Sequence, residues 1–194
     1  NEGLAVAAGA FGAIRPARRD AALPFPAERL RTTFVAPEFT LTNQDGQAVT
    51  LASLRGHPIM VTGVYARCGL TCPMLMKGAK DALAALTPDE RRDVRVVAIT
   101  LNPEHDTPAV LAEMARVHSV SAPSFQLVTG DVAAVERALD AFNIARSRDA
   151  STGQINHANV YVLIDRRGRI AWRLSLGPQN RQWLPTALGV LARE

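Results

Sequence analysis

The chain has 194 residues, 47% of them hydrophobic, with a mean hydropathy of +0.02 and a net charge of +4. That length fits one domain with a sizeable core, and the composition is that of an ordinary soluble protein. The positive balance is carried by arginines, scattered and without interleaved aromatics; this speaks against nucleic acid and leaves a solvated basic surface, or attraction to an acidic protein or anionic membrane.

Leu4 to Ile14 is an apolar run, too short for a bilayer span of about 20 residues. It has no basic leader, so it is not an intact signal peptide. It reads as the tail of a removed signal or anchor, or as a helix packed on the domain. Residues 15–33 carry Pro16, Pro24 and Pro26 and read as an irregular segment. Residues 1–33 are therefore taken as an N-terminal arm and 34–194 as the domain.

Phe39–Thr42, a turn at Asn43–Gly46, and Gln47–Leu51 predict a β-hairpin. A turn at Leu54–Pro58 precedes Ile59–Tyr65, an apolar run with the look of a buried strand. After Pro73 the period changes, and Met74, Leu75, Gly78, Leu83 and Leu86 share one side of a helix that Thr87–Glu90 closes. Val94–Leu101 predicts a second buried strand. Thr107 and Pro108 cap and open a helix carrying Val110, Leu111, Met114 and Val117. Phe125–Val128 reads as a short strand, and Asp131 caps a helix with Val132, Val135, Leu139 and Phe142 inside. Residues 144–156 look polar and irregular. Val160–Asp165 and Arg169–Leu174 predict a second hairpin, and Trp183–Arg193 a terminal helix. The order β-α-β-α-β-α-β-β-α implies an α/β fold, a sheet with helices on both faces and parallel early strands.

The two cysteines of the chain, Cys68 and Cys72, fall where the central strand ends and a helix begins. Such a pair at that junction suggests a thioredoxin-like fold: a central mixed sheet, helices on both faces and an N-terminal β-hairpin. Backbone N–H groups and the dipole at a helix N-terminus stabilise a thiolate, and Arg67 pushes the same way. Three residues separate the sulfurs, where redox dithiols usually have two. A disulfide is still within reach, and the longer loop also lets two thiolates splay around one ion. Two thiolates plus an imidazole suit Cu(I), or Zn(II) with a fourth ligand. The bland alternative is an inert buried pair or a stabilising disulfide.

Four histidines could supply the imidazole. His57 begins the central strand, at its far end from the cysteines. His118 ends a helix, where a positive side chain caps the dipole. His105 follows the second strand, whose parallel course ends on the cysteine side. His157 precedes the strand at Val160. Residue chemistry alone leaves His105 and His157 open.

The motifs Cys68-x-x-x-Cys72-Pro73, Asn102-Pro-Glu-His-Asp-Thr-Pro108, Phe125–Gly130 and Asn156-His157 before Val160–Asp165, with Phe39, Asp45-Gly46 and Leu54-Arg-Gly56 upstream, resemble the SCO/SenC family over about residues 36–176. The resemblance implies a thioredoxin-like domain, tethered to a membrane and facing the periplasm or another extracytoplasmic space. It implies a copper ion, Cu(I) or Cu(II), held by Cys68, Cys72 and His157. It also implies a role in building the dinuclear copper site of cytochrome c oxidase, as copper donor, as reductant of the target's cysteines, or both. The expected partners are the copper-site subunit of that oxidase or a similar cuproprotein, and a thiol–disulfide or copper-relay protein. His157 stands where thioredoxins carry a cis-proline. Two positions depart from the family pattern: Asn102 replaces a typical Asp, and Arg67 sits against the first cysteine. Both weaken cation binding relative to thiol chemistry. The alternative function is a thiol–disulfide reductase or redox sensor, with Cys68 attacking and Cys72 resolving. A thiol peroxidase fits less well.

Overall fold

The computed structural model describes residues 24–194, so the apolar run at 4–14 lies outside the described residues. The chain enters through α1 (Ala27–Leu30) and β1 (Phe34–Val35), then β2 (Thr40–Asn43), β3 (Ala48–Thr50), α2 (Leu51–Leu54) and β4 (Ile59–Val64). It continues through α3 (Thr71–Ala84), α4 (Pro88–Asp93), β5 (Arg95–Thr100), α5 (Pro108–His118), β6 (Phe125–Thr129) and α6 (Val132–Ala141). It ends with β7 (Arg146–Arg148), β8 (Ile155–His157), β9 (Val160–Ile164), β10 (Arg169–Ser175) and α7 (Pro178–Arg193).

Eight strands form one sheet in the order β1-β10-β9-β4-β5-β6-β2-β3. β4, β5 and β6 are parallel, with Val64 opposite Thr100; β9 runs antiparallel to β4. All six residues of β4 are buried, as a strand covered on both faces requires. The steps β4→β5→β6 run one way across the sheet, so right-handed crossovers put α3 and α5 on one face. Lys80 Nζ of α3 donates to the His118 carbonyl of α5 across that face, and α7 packs on α3. α6 carries the chain back toward β9 over the other face.

The expected N-terminal hairpin is present. Asn43 Oδ1 accepts from the backbone N–H of Asp45 (3.0 Å) and Gln47 (2.9 Å), and Gly46 takes a φ of +75° that a side chain would resist. The second hairpin is β9–β10. The described part of the arm lies on the domain. The Phe25 ring meets Trp172 edge-on at 5.1 Å, Trp172 Nε1 donates to the Ala27 carbonyl, and Arg31 pairs with Glu194.

Three readings need correction. Residues 144–156 are not irregular: β7 and β8 pair as a two-stranded antiparallel sheet of their own. Thr87 opens α4 instead of merely closing α3; its hydroxyl accepts from Glu90 N–H while Glu90 bonds back to Thr87 N–H. Asp131 holds the N-cap position of α6 but makes no side-chain cap bond.

Gly78 in α3 faces the Tyr161 hydroxyl, which donates to the Leu75 carbonyl at 2.9 Å. Alanine in a helix ordinarily gains about 1 kcal/mol over glycine. Here a Cβ would overlap the Tyr161 oxygen, and overpacking costs about 1–3 kcal/mol. Gly78→Ala is therefore expected to lower stability by about 1 kcal/mol or more in urea denaturation; a gain in stability would show the contact to be loose.

Candidate metal centre

β4 delivers the chain to a turn, Tyr65 to Cys68, closed by Cys68 N–H donating to the Tyr65 carbonyl (3.2 Å). Behind the turn lies Asp106, 1% exposed, which accepts from Ala66 N–H (3.1 Å) and from the Thr100 hydroxyl (2.7 Å). This carboxylate ties the ends of β4 and β5 together. The helix α3 begins without a side-chain cap from its N-cap residue Leu70. Instead Cys72 N–H donates to the Cys68 sulfur at 3.3 Å, so a thiol takes the place that a Ser or Asp oxygen usually fills.

Cys72 is buried and Cys68 half-buried, and both are free thiols. His157, the last residue of β8, brings its Nε2 to 3.6 Å from the Cys72 sulfur and 3.3 Å from the Thr71 hydroxyl. The Thr71 hydroxyl also touches the Cys68 sulfur at 3.6 Å. The two sulfurs and an imidazole nitrogen all lie within 4.8 Å of one another. His157 Nδ1 lies 3.2 Å from the Ala158 carbonyl, which can only accept, so Nδ1 carries the hydrogen and the Nε2 lone pair faces the sulfurs.

The SCO1/SenC family model matches residues 27–184. The chain belongs to the SCO1/SenC family. A relative in Bacillus subtilis, an SCO1 protein homolog, is 28% identical over 134 residues, covering 68% of this chain and 69% of its own. Two solved structures share the fold. Copper-bound ScoI of Bradyrhizobium japonicum superposes with a TM-score of 0.70 at 24% identity, covering 81% of this chain and 99% of its own. BsSco, a member of the Sco family of cytochrome c oxidase assembly proteins, gives 0.70 at 23% identity, covering 84% and 96%. The architecture of this SCO1/SenC chain is thus thioredoxin-like, as its strand order and the place of its cysteines indicated.

The two thiols of this SCO1/SenC chain are unequal. Burial pushes the Cys68 thiol up, but hydrogen bonds from the Cys72 thiol, the Leu70 and Cys72 N–H groups and the Thr71 hydroxyl outweigh it and bring its pKa to about 6. The backbone N–H groups expected at the helix N-terminus are among these donors, and Arg67 is not among the leading causes. Deep burial pushes the Cys72 thiol far above its ordinary value, and its bond to Cys68 adds to this. Alkylation of the reduced, metal-free chain by iodoacetamide should therefore fall on Cys68 and rise with pH about a midpoint near 6. Peptide mass mapping reads this directly, and a midpoint at the ordinary thiol value of about 8.5 would contradict it. Because the folded value is depressed, ionised Cys68 stabilises the fold above the ordinary thiol pKa. That contribution is lost as pH falls through about 6.

Of the two histidines that residue chemistry left open, the fold brings His157 to the sulfurs. His105 does lie on the cysteine side, but its Nδ1 turns to Asn102 Oδ1 at 3.1 Å. His57 sits at the opposite end of β4, bonded to Asp93. His118 ends α5 away from the sulfurs; burial and then Lys80 hold its pKa below the ordinary value, and the Lys80 ammonium meets the His118 carbonyl. Three neighbours escaped sequence reasoning. Thr71 bridges Cys68 and His157. Asp106 braces the turn, and its signal was an acidic residue just before the Thr107-Pro108 cap. Tyr65 accepts from Ile155 N–H (3.3 Å) and donates to the Ile155 carbonyl (3.4 Å), fastening β8 to the end of β4.

Proposed function

We propose that this chain binds one copper ion through Cys68, Cys72 and His157 and hands it to the dinuclear copper site of cytochrome c oxidase. The observation that carries the reading is the convergence of two sulfurs and one imidazole nitrogen within 4.8 Å. That donor set fits the ion: soft thiolates select Cu(I), and imidazole suits Cu(II) as well. Copper is here a cargo, and a half-buried Cys68 leaves it within reach of a recipient. Binding requires Cys72 to give up its proton, so loading releases acid from a thiol that otherwise stays neutral. Family membership and the likeness to copper-bound ScoI support this reading.

The recipient is the copper-site subunit of the oxidase or a similar cuproprotein, on the extracytoplasmic side of a membrane. Residues 1–33 would serve as the arm that tethers or positions the domain there. Among the described residues no helix is long and apolar enough to cross a membrane. Anaerobic reduction followed by one equivalent of copper tests the binding. A 1:1 complex by native mass spectrometry, with a thiolate-to-copper charge-transfer band for Cu(II), is the expected result; stoichiometry without that band would refute the ligand set.

A second reading has its own observation. The low pKa of half-buried Cys68 against the suppressed ionisation of Cys72 is the asymmetry of an attacking and a resolving thiol. A reductase acting on the target's cysteines would use the same pair, and rapid reduction of a target disulfide without copper would favour it.

A further inference from the structure

Along the turn that leads into Cys68 lies a cleft of about 430 Å³, walled by Tyr65, Arg67, Asn102, His105, Arg148 and the turn at Gly153. No carboxylate lines it; Glu104 and Asp149 are its neighbours in sequence but not in its wall. Asp149 instead accepts from Ser151 and Thr152 within its own turn. The two arginines have no ion-pair partner among the described residues. Arg148 gives its Nη2 to Asn102 Oδ1 (2.9 Å) and its Nη1 to the Gly153 carbonyl (3.2 Å), both neutral acceptors. Asn102, 5% exposed, accepts from Arg148 and faces His105 with the same oxygen, so it orients the guanidinium without neutralising it. Tyr65 joins this cleft to the thiols. It lines the cleft, and its ring stands edge-on to His157 at 6.1 Å.

We propose that this cleft is a subsite for a carboxylate-bearing disulfide compound of small-peptide size, held by Arg67 and Arg148 with its sulfurs against Cys68. The volume falls in the range of small-molecule sites, and unpaired guanidinium groups are the natural partners of carboxylates. The Cys68 thiolate attacks one sulfur of RS–SR. A Cys68–SR bond forms, the S–S bond of the compound breaks, and RS⁻ leaves with the electron pair. Cys72 then loses its proton to water, attacks the Cys68 sulfur and expels the second RS⁻. The compound is reduced and the pair oxidised. The proposal rests on the reading of Cys68, the less buried sulfur and the neighbour of Arg67, as the attacking one.

Stopped-flow rates of the reduced, metal-free chain with two probes test it. One is the dianionic dithiobis(nitrobenzoate), the other the neutral dithiodipyridine. Each rate is normalised to that of a free cysteine peptide, and the quantity read is the anionic-to-neutral ratio. Because both probes share one nucleophile, the ratio is blind to changes in Cys68 itself. In Arg67→Gln/Arg148→Gln the ratio should fall about tenfold while the neutral rate holds, and in the unaltered chain it should fall with added salt. A ratio that the double variant moves less than about twofold overturns the proposal. If that variant does not fold, a ratio indifferent to salt overturns it equally. Failure of the neutral probe to label Cys68 at all would sink the underlying reading and this proposal with it, whereas a normal neutral rate with an unmoved ratio sinks the cleft alone.

Discussion

Replacing His157 by alanine is expected to cut Cu(II) affinity more than a hundredfold and to abolish the thiolate-to-copper band, with little effect on folding. Loss of a partner in the outer shell commonly costs about 10–100-fold in metal affinity, so loss of a direct ligand should exceed that range. The fold should survive because His157 is half-buried. Among its hydrogen bonds, those to the Ala158 carbonyl and the Thr71 hydroxyl contribute about 1 kcal/mol each at most. His105→Ala is the internal control, since its imidazole turns to Asn102 and not to the sulfurs; its copper affinity should stay within about threefold of the parent. Competition against a chelator of known affinity measures both. Equal losses in the two variants, or none in His157→Ala, would remove His157 from the site. The same experiment separates the two proposed functions, because a reductase that works by Cys68 and Cys72 has no need of the imidazole.

The largest effect on stability should come from a residue that touches neither sulfur. Asp106→Ala removes a buried carboxylate that takes hydrogen bonds from Ala66 N–H and the Thr100 hydroxyl. Both donors would be left without that acceptor, and an unpaired buried polar group costs about 1–3 kcal/mol. A total loss of about 3 kcal/mol corresponds to a fall in melting temperature of about 6–12 °C for a chain of this size. Both bonds fall on one oxygen, Oδ2, so Asp106→Asn, which keeps one oxygen acceptor, should recover most of it. The turn that Asp106 braces leads straight into Cys68, so copper affinity should fall in Asp106→Ala as well. A melting temperature within about 2 °C of the parent would show that the carboxylate is dispensable.

The parts of the molecule that sequence makes legible are those with strong periodicity. β4 and β5 are apolar runs buried on both faces, and α5 carries a Thr-Pro start before its apolar stripe. The cysteines were legible too, because their position at a strand end needs no tertiary information. What was hidden has a physical reason in each case. β7 is Arg-Ser-Arg, three residues with no apolar face, so no alternation marks it as a strand. α4 is Pro-Asp-Glu-Arg-Arg-Asp with no buried residue; its helix signal was the reciprocal Thr87–Glu90 cap. The choice between His105 and His157 stayed open because the path of residues 144–156 determines where His157 lies. That path depends on long-range bonds such as those of Tyr65 to Ile155, some 90 positions away. That a lysine 38 positions away would meet the last carbonyl of α5, at His118, was hidden because the pairing depends on how α3 and α5 pack.

His157 rides on a two-stranded sheet separate from the eight-stranded one, fastened through Tyr65, by Arg148 to Asn102, and by Arg146 to Glu136 and Asp140. A two-stranded ribbon opens at lower free energy than a central strand. An ion held as proposed would therefore have one ligand on a movable element and two on a rigid strand–helix junction. Were the hairpin to swing away, the sulfurs would keep the ion and a coordination position would fall vacant for an incoming donor. Transfer would then go by displacement, with a rate that climbs with recipient concentration, and the ion would pass from one protein to the next without ever being free in solution.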